Sequence, residues 1–302
     1  MPFLTFPKAN SAPSPEFNGL CAFWKRLAVS SEQADPFCCS PSWHLAYHQA
    51  FNPARRIFFK TSPGACLIFA EELFSPEKIF LTPMEASWFF GCPLLGEDAP
   101  DLLAEALACI AREYAPAFPG IVLSGIRPEG GLAPELLRRF GRDFTFYRHS
   151  YSVQCAASLR GGLDGFLSRR SANHRAKLRK AARQARERDI SFERRSPASA
   201  EEAAQIYRRM LLVEKTSWKG IGQCGMAESP AKEFYEALIG HLTATREARV
   251  IFARHEDRDI GFIFGGMAGT IYRGQQFSYD AAWKDRSIGN LLQLEKVTWL
   301  CE

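Results

Sequence analysis

Between Ala248 and Tyr279 the chain reads as a single antiparallel meander. Apolar runs at Ala248–His255, Asp259–Ala268, Thr270–Arg273 and Gln276–Tyr279 follow one another directly, with Gly269 and Gly274 marking turns. Strands this close in sequence pair antiparallel, so the helices that cover them must come from elsewhere in the chain. The first half uses the same vocabulary. Arg56–Lys60 and Ala65–Glu71 are strands joined by Ser62-Pro63-Gly64, followed by short strands at 79–82 and 87–91, a buried strand at Ile121–Gly125 and another at Phe144–Arg148. Apolar spacing near 3.6 predicts helices at 16–33, from Ser40-Pro41 onward, at 99–114 and at Pro134–Phe140. The second half repeats the order: strand Tyr151–Cys155, helix 163–188, strand Ile190–Arg194, helices 199–216 and Pro230–Thr245, the meander, and a last helix at 288–300. The expectation is an α+β chain with an extended leader at 1–15 and two halves, 16–150 and 151–302. Each half carries a mostly antiparallel sheet flanked by helices.

The most distinctive stretch is 168–195. Arg175, Arg179, Arg183 and Arg186 recur at helical spacing, while Leu178, Ala182 and Ala185 form a narrower apolar stripe. Arg169, Arg170, Lys177, Lys180 and Arg188 add charge, and Glu187 is the only acid between Arg169 and Arg188. Such a face repels itself unless solvent or an anion lies against it: a phosphate-rich co-substrate, an RNA, a membrane surface or an acidic patch. The chain as a whole is only mildly basic, at +5 over 302 residues. No aromatic interleaves the basic residues between 169 and 191, which disfavours specific single-strand RNA recognition.

The other composition signals are mostly exclusions. Nine cysteines, none in a CxxC pair, fit a reducing compartment rather than a disulfide framework or zinc knuckle. His44 and His48 stand at i, i+4 but no carboxylate completes a ligand set, so no metal is expected. No apolar run is long enough to cross a membrane, and the N-terminus lacks a signal-peptide pattern, so the expected location is cytoplasmic.

Several short motifs then carry a family likeness. They are Arg175, Lys177, Leu178, Arg179 and Lys180 on the basic helix, then Trp218-Lys219-Gly220, Tyr279-Asp280, and Ser287-Ile288-Gly289-Asn290-Leu291-Leu292. Upstream, Trp24 with Leu27, Asp35-Pro36-Phe37 and Ser40-Pro41-Ser42-Trp43 form the lead-in. In order and spacing this resembles the acetyltransferase domain of CelD-type and BioF-like acyltransferases. That domain is a branch of the GNAT superfamily related to the Fem-type peptidoglycan aminoacyltransferases. The resemblance implies two GNAT-like lobes and transfer of an acyl group to an amine. CoA thioesters serve most GNAT enzymes, whereas Fem-type relatives use aminoacyl-tRNA.

The sequence departs from the family pattern in two places. The pyrophosphate loop keeps Arg286 and Gly289 but has Leu291 where a small residue is usual, and the family continues past the final helix into another strand. The resemblance therefore implies an N-acyltransferase using acetyl-CoA or another acyl-CoA, without metal. Its acceptor would be a small-molecule or nucleotide-linked amine. Arg286, Ser287, Ile288, Gly289 and Asn290 would cradle the pyrophosphate at a helix N-terminus, with Arg175 and Arg179 as further phosphate contacts. Asp280 and Tyr279 would handle protons, with Glu214 as another candidate base that also suits an exposed helix position, and Trp218 and Lys219 would line the acceptor channel. Plainer roles stand beside these: Asp280 as a turn cap, Tyr279 as core, and Gly220 as a left-handed helix cap with Lys219 on the helix dipole. Two alternatives remain open. One is an aminoacyl-tRNA donor; the other is a degenerate GNAT fold serving only as a binding module.

Overall fold

The computed structural model describes residues 3–4 (backbone only), 14–31, 35–75 and 78–302. The chain divides into two compact units, Met1–Arg148 with Ala268–Ile271, and His149–Met267 with Tyr272–Glu302.

In the first unit, β1 (Phe3–Leu4), β2 (Ile57–Ser62), β3 (Ala65–Ser75), β4 (Lys78–Thr82) and β6 (Gly120–Ile121) form the sheet path, and β5 (Leu94–Gly96) pairs with β3. All these pairings are antiparallel except β4 with β6. Four helices accompany the sheet: α1 (Pro15–Ser30), α2 (Pro41–Phe51), α3 (Ala99–Glu113) and α4 (Leu132–Phe140). Ser14 caps α1 by accepting from the Phe17 N–H at 3.2 Å. The core beneath holds Trp24, Phe58, Leu67, Phe69 and Leu102, all buried. Of the expected 1–15 leader, only Phe3–Leu4 and Ser14–Pro15 fall among the described residues, and the end of the 16–33 helix passes into the undescribed 32–34.

In the second unit, α5 (Gly162–Ser168), α6 (Ala172–Arg186), β7 (Ile190–Arg195), α7 (Ala200–Thr216), α8 (Trp218–Ile221) and α9 (Ala231–Ala244) precede the meander. The meander is β8 (Ala248–His255), β9 (Arg258–Ala268) and β10 (Ile271–Tyr279), and the sheet order is β10-β9-β8-β7. A 3-10 turn, Ala281–Arg286, leads into α10 (Ile288–Cys301). Packing of Ala181 and Ala185 of α6 with Ile251, Ile260, Ile288, Leu291 and Leu292 builds one core cluster. Leu291, the odd residue of the loop motif, is thus a core side chain.

Several local expectations fail for identifiable reasons. Residues 87–91 are not a strand, because the amides of Ser87, Phe89 and Phe90 donate to the buried Glu85 carboxylate at 2.8–3.1 Å, as does that of Trp88. Their donors are used before any ladder can form. The 121–125 strand shrinks to Gly120–Ile121, and Gly125 adopts φ +63°. The alternating runs 144–148 and 151–155 are exposed and form no strand. The 163–188 helix breaks between α5 and α6, where Ser171 caps the new helix by accepting from the His174 N–H. Gly274, expected in a turn, lies inside the continuous β10.

Candidate active site

Residues 212–226 bend from α7 into α8. Ser217 ends α7 in an extended conformation and starts α8 by accepting from the Gly220 N–H at 3.3 Å. Gly220 therefore is not the left-handed cap expected of it. It is needed for space instead, since a Cβ there would lie 2.2 Å from the Glu214 carbonyl oxygen. The bend turns two side chains inward. Glu214, expected on an exposed face, has no exposed surface: it completes the buried stripe Tyr207, Met210 and Val213 of α7. Its Oε1 accepts from the Met226 N–H at 3.1 Å and lies 3.7 Å from Lys219 Nζ. Gly225 allows this approach, because a Cβ on it would fall 2.2 Å from the same oxygen.

Lys219 does not point along the helix dipole. Its ammonium donates to Gln276 Oε1 on β10 at 2.8 Å, and Gln276 Nε2 donates to the Tyr235 hydroxyl of α9 at 2.7 Å. Burial pulls the Lys219 pKa below its usual range, and the Glu214 charge opposes that pull. Burial pushes the Tyr235 hydroxyl upward. The sequence motifs did not single out Gln276 and Tyr235; the only signal was a polar Gln in the strand that ends at Tyr279.

The second cluster is the start of α10. Arg286 closes the right-handed 3-10 turn, and Ser287 follows at φ +57°. That succession turns neighbouring N–H groups into one concavity suited to an anion. The Ser287 side chain makes no capping bond, so the first-turn N–H groups of Ile288, Gly289 and Asn290 stay available beside the exposed Lys284 and Arg286. Asp280 secures the approach. Its Oδ1 accepts from the Ala282 N–H at 2.9 Å, and its Oδ2 accepts from the Arg258 guanidinium. Tyr279 packs on the core around Ile288 and Leu292. A Cβ on Gly289 would come within 3.3 Å of both the Phe277 and Tyr279 rings, so this glycine is also a close-packing position.

Phe277 joins the two clusters. Its ring would lie 3.3 Å from a Cβ on Gly289, and Lys219 Nζ stands 6.0 Å from its centroid. Gly289 and Lys219 thus border the same ring, while Trp218 is 64% exposed.

Arg175 and Arg179 separate from each other. The Arg175 guanidinium donates to the carbonyls of Leu167, Ser168 and Arg170, at 3.1–3.5 Å, and so closes the end of α5. Arg179 is exposed, as are Lys180, Arg183 and Arg186 on the same helix. Arg183 pairs only loosely with Glu187, at 3.6 Å between exposed side chains. Among the described residues no group of three or more His, Cys, Asp or Glu side chains could hold a metal ion, and no helix is long and apolar enough to cross a membrane.

Residues 172–302 match the family model described as an acetyltransferase (GNAT) domain. No curated protein matches the chain. Among solved structures, a conserved protein of unknown function from Bacteroides thetaiotaomicron aligns with TM-score 0.61 at 12% identity, covering 99% of this chain and 86% of that one. FemX aligns with TM-score 0.61 at 9% identity, covering 92% and 83%. The C-terminal domain of a putative lysylphosphatidylglycerol synthetase from Agrobacterium fabrum aligns with TM-score 0.50 at 12% identity, covering 94% and 75%. At these identities the likeness is one of fold, that of two GNAT-like lobes.

Proposed function

We propose that the chain, whose residues 172–302 match the acetyltransferase (GNAT) domain family model, is an N-acyltransferase carrying an acyl group from a CoA thioester to an amine. The observation behind this is that the Phe277 ring neighbours both Gly289, at the start of α10, and the Lys219 ammonium. A donor pyrophosphate held at Arg286–Asn290 would leave the thioester to run along β10 toward Lys219. The neutral amine attacks the thioester carbon, forming the C–N bond. The tetrahedral oxyanion is stabilised by Lys219, whose charge Glu214 supports. Collapse breaks the C–S bond, and the surplus proton on nitrogen passes to the departing sulfur, with the Tyr279 hydroxyl as relay. The products are an amide and free CoA thiol. In this assignment Asp280 holds the 281–286 turn in place rather than accepting the proton, because both its oxygens have partners.

A second donor, aminoacyl-tRNA, is favoured by one observation: the exposed cationic side of α6 around Arg179 and Arg186, which suits a phosphate backbone. The names of FemX and of the lysylphosphatidylglycerol synthetase are in keeping with that donor and with a lipid-linked acceptor. The test is release of CoA thiol from acyl-CoA in the presence of an amine panel, alongside aminoacyl-tRNA consumption. Thiol release with matching amide supports the first donor. Deacylation of tRNA without thiol release supports the second, and neither would overturn acyl transfer by this chain.

A further inference from the structure

We propose that the acyl group this site takes is a medium or long hydrocarbon chain, seated on an apolar rim made by Trp218, Ile221 and Phe277. The inference rests on the acyl-thioester reading above. Trp218 and Ile221 flank Lys219 on α8 and are 64% and 69% exposed, while Phe277 is 44% exposed. Large apolar side chains left this open on a one-turn helix gain nothing by burial in the protein itself, and a concentration of them marks a binding surface. Position decides the occupant. Phe277 neighbours Gly289 at the α10 N-terminus and has Lys219 Nζ 6.0 Å from its ring centroid. A donor anchored by its phosphates at Arg286–Asn290 therefore brings its thioester to Lys219, and whatever extends beyond the carbonyl meets Trp218 and Ile221. An acetyl group is too short to use that surface.

The reaction balances as before: the C–N bond forms, the C–S bond breaks, and the proton moves from the amine nitrogen to the thiol. Only the acyl chain differs.

The experiment compares acetyl-, octanoyl- and dodecanoyl-CoA, each below its critical micelle concentration. Calorimetric Kd is measured without acceptor, and thiol release with an amine. Wild-type protein should bind dodecanoyl-CoA at least about tenfold more tightly than acetyl-CoA, since each buried methylene adds affinity. In Trp218→Ala/Ile221→Ser the ratio of the two Kd values should fall close to one. The melting temperature should not move, because both side chains are exposed. Equal affinity for all three donors would overturn the inference while leaving the acyl-thioester reading intact. A chain-length preference that survives in the double variant would overturn it too, by placing the chain elsewhere. If none of the three donors binds, the inference falls together with the acyl-thioester reading.

Discussion

Lys219 places its ammonium nitrogen 3.7 Å from a carboxylate oxygen of Glu214, a side chain with no exposed surface. A buried carboxylate survives only with partners, and here these are Lys219, the Met226 amide and, at 3.5 Å, the Ser217 hydroxyl. Replacing Glu214 by Ala leaves that amide without its acceptor and the half-buried ammonium with Gln276 but no counter-charge from Glu214. The expected loss is about 3 kcal/mol of stability, with Glu214→Gln milder; urea denaturation measures both.

The same pair sets a pH signature. Burial lowers the folded Lys219 pKa below 10.5 and Glu214 raises it, so Glu214→Gln lowers it further. A folded Lys with a depressed pKa binds fewer protons than the unfolded one, so stability rises with pH through the interval below 10.5. The Gln variant should show a steeper rise there than wild type. Equal slopes would mean that the two side chains do not interact energetically.

His44 and His48 give the first unit an acid limit. Burial, reinforced by the Arg55 charge, pushes them down to about 3 and about 4 from 6.5. The unfolded chain binds protons first as pH drops, so stability is lost progressively from about 6.5 toward 4. His44→Leu, beside Trp24 at 5.5 Å, should flatten that loss in a melting series from pH 7 to 4. An unchanged slope would assign the acid sensitivity to other groups.

Helix periodicity carried most of the architecture, because α3, α7, α9 and α10 each bury one apolar stripe and their ends are set by local signals such as Pro100, Ser199 and Ser287. Strands were harder to place. Alternation at 144–148 and 151–155 is genuine, yet pairing depends on a partner that alternation does not specify. At 87–91 a single carboxylate, Glu85, captured the amides. The site was half legible. The 286–290 segment and Lys219 were visible as motifs, whereas the inward turn of Glu214 depends on the bend at Ser217 and on Gly225, which supplies space rather than chemistry. Gln276 and Tyr235 are joined to Lys219 only by tertiary structure.

The ion cluster under α7 yields a prediction away from the site. The Arg209 guanidinium donates to both oxygens of Asp259 and to Glu193, and stacks 3.9 Å over Phe252. Arg209→Met should cost about 2 kcal/mol, less than a fully buried pair because the partners retain some exposure. Hydrogen bonding to Arg209 lowers the folded Glu193 pKa below 4.5, so its contribution is present above that pH and is lost as pH falls through the lower folded value. In Arg209→Met that part of the acid dependence should shrink to what Arg195, the other partner of Glu193, sustains.

The central claim is that the α10 N-terminus holds the phosphates of a CoA donor. Calorimetric titration of CoA into wild type and Asn290→Asp tests it most directly, since Asn290 is exposed and the substitution adds one negative charge to the helix end. Saturable binding by wild type, weakened about tenfold or more in Asn290→Asp, is the predicted result. Equal binding by both proteins, or none by wild type, would contradict it.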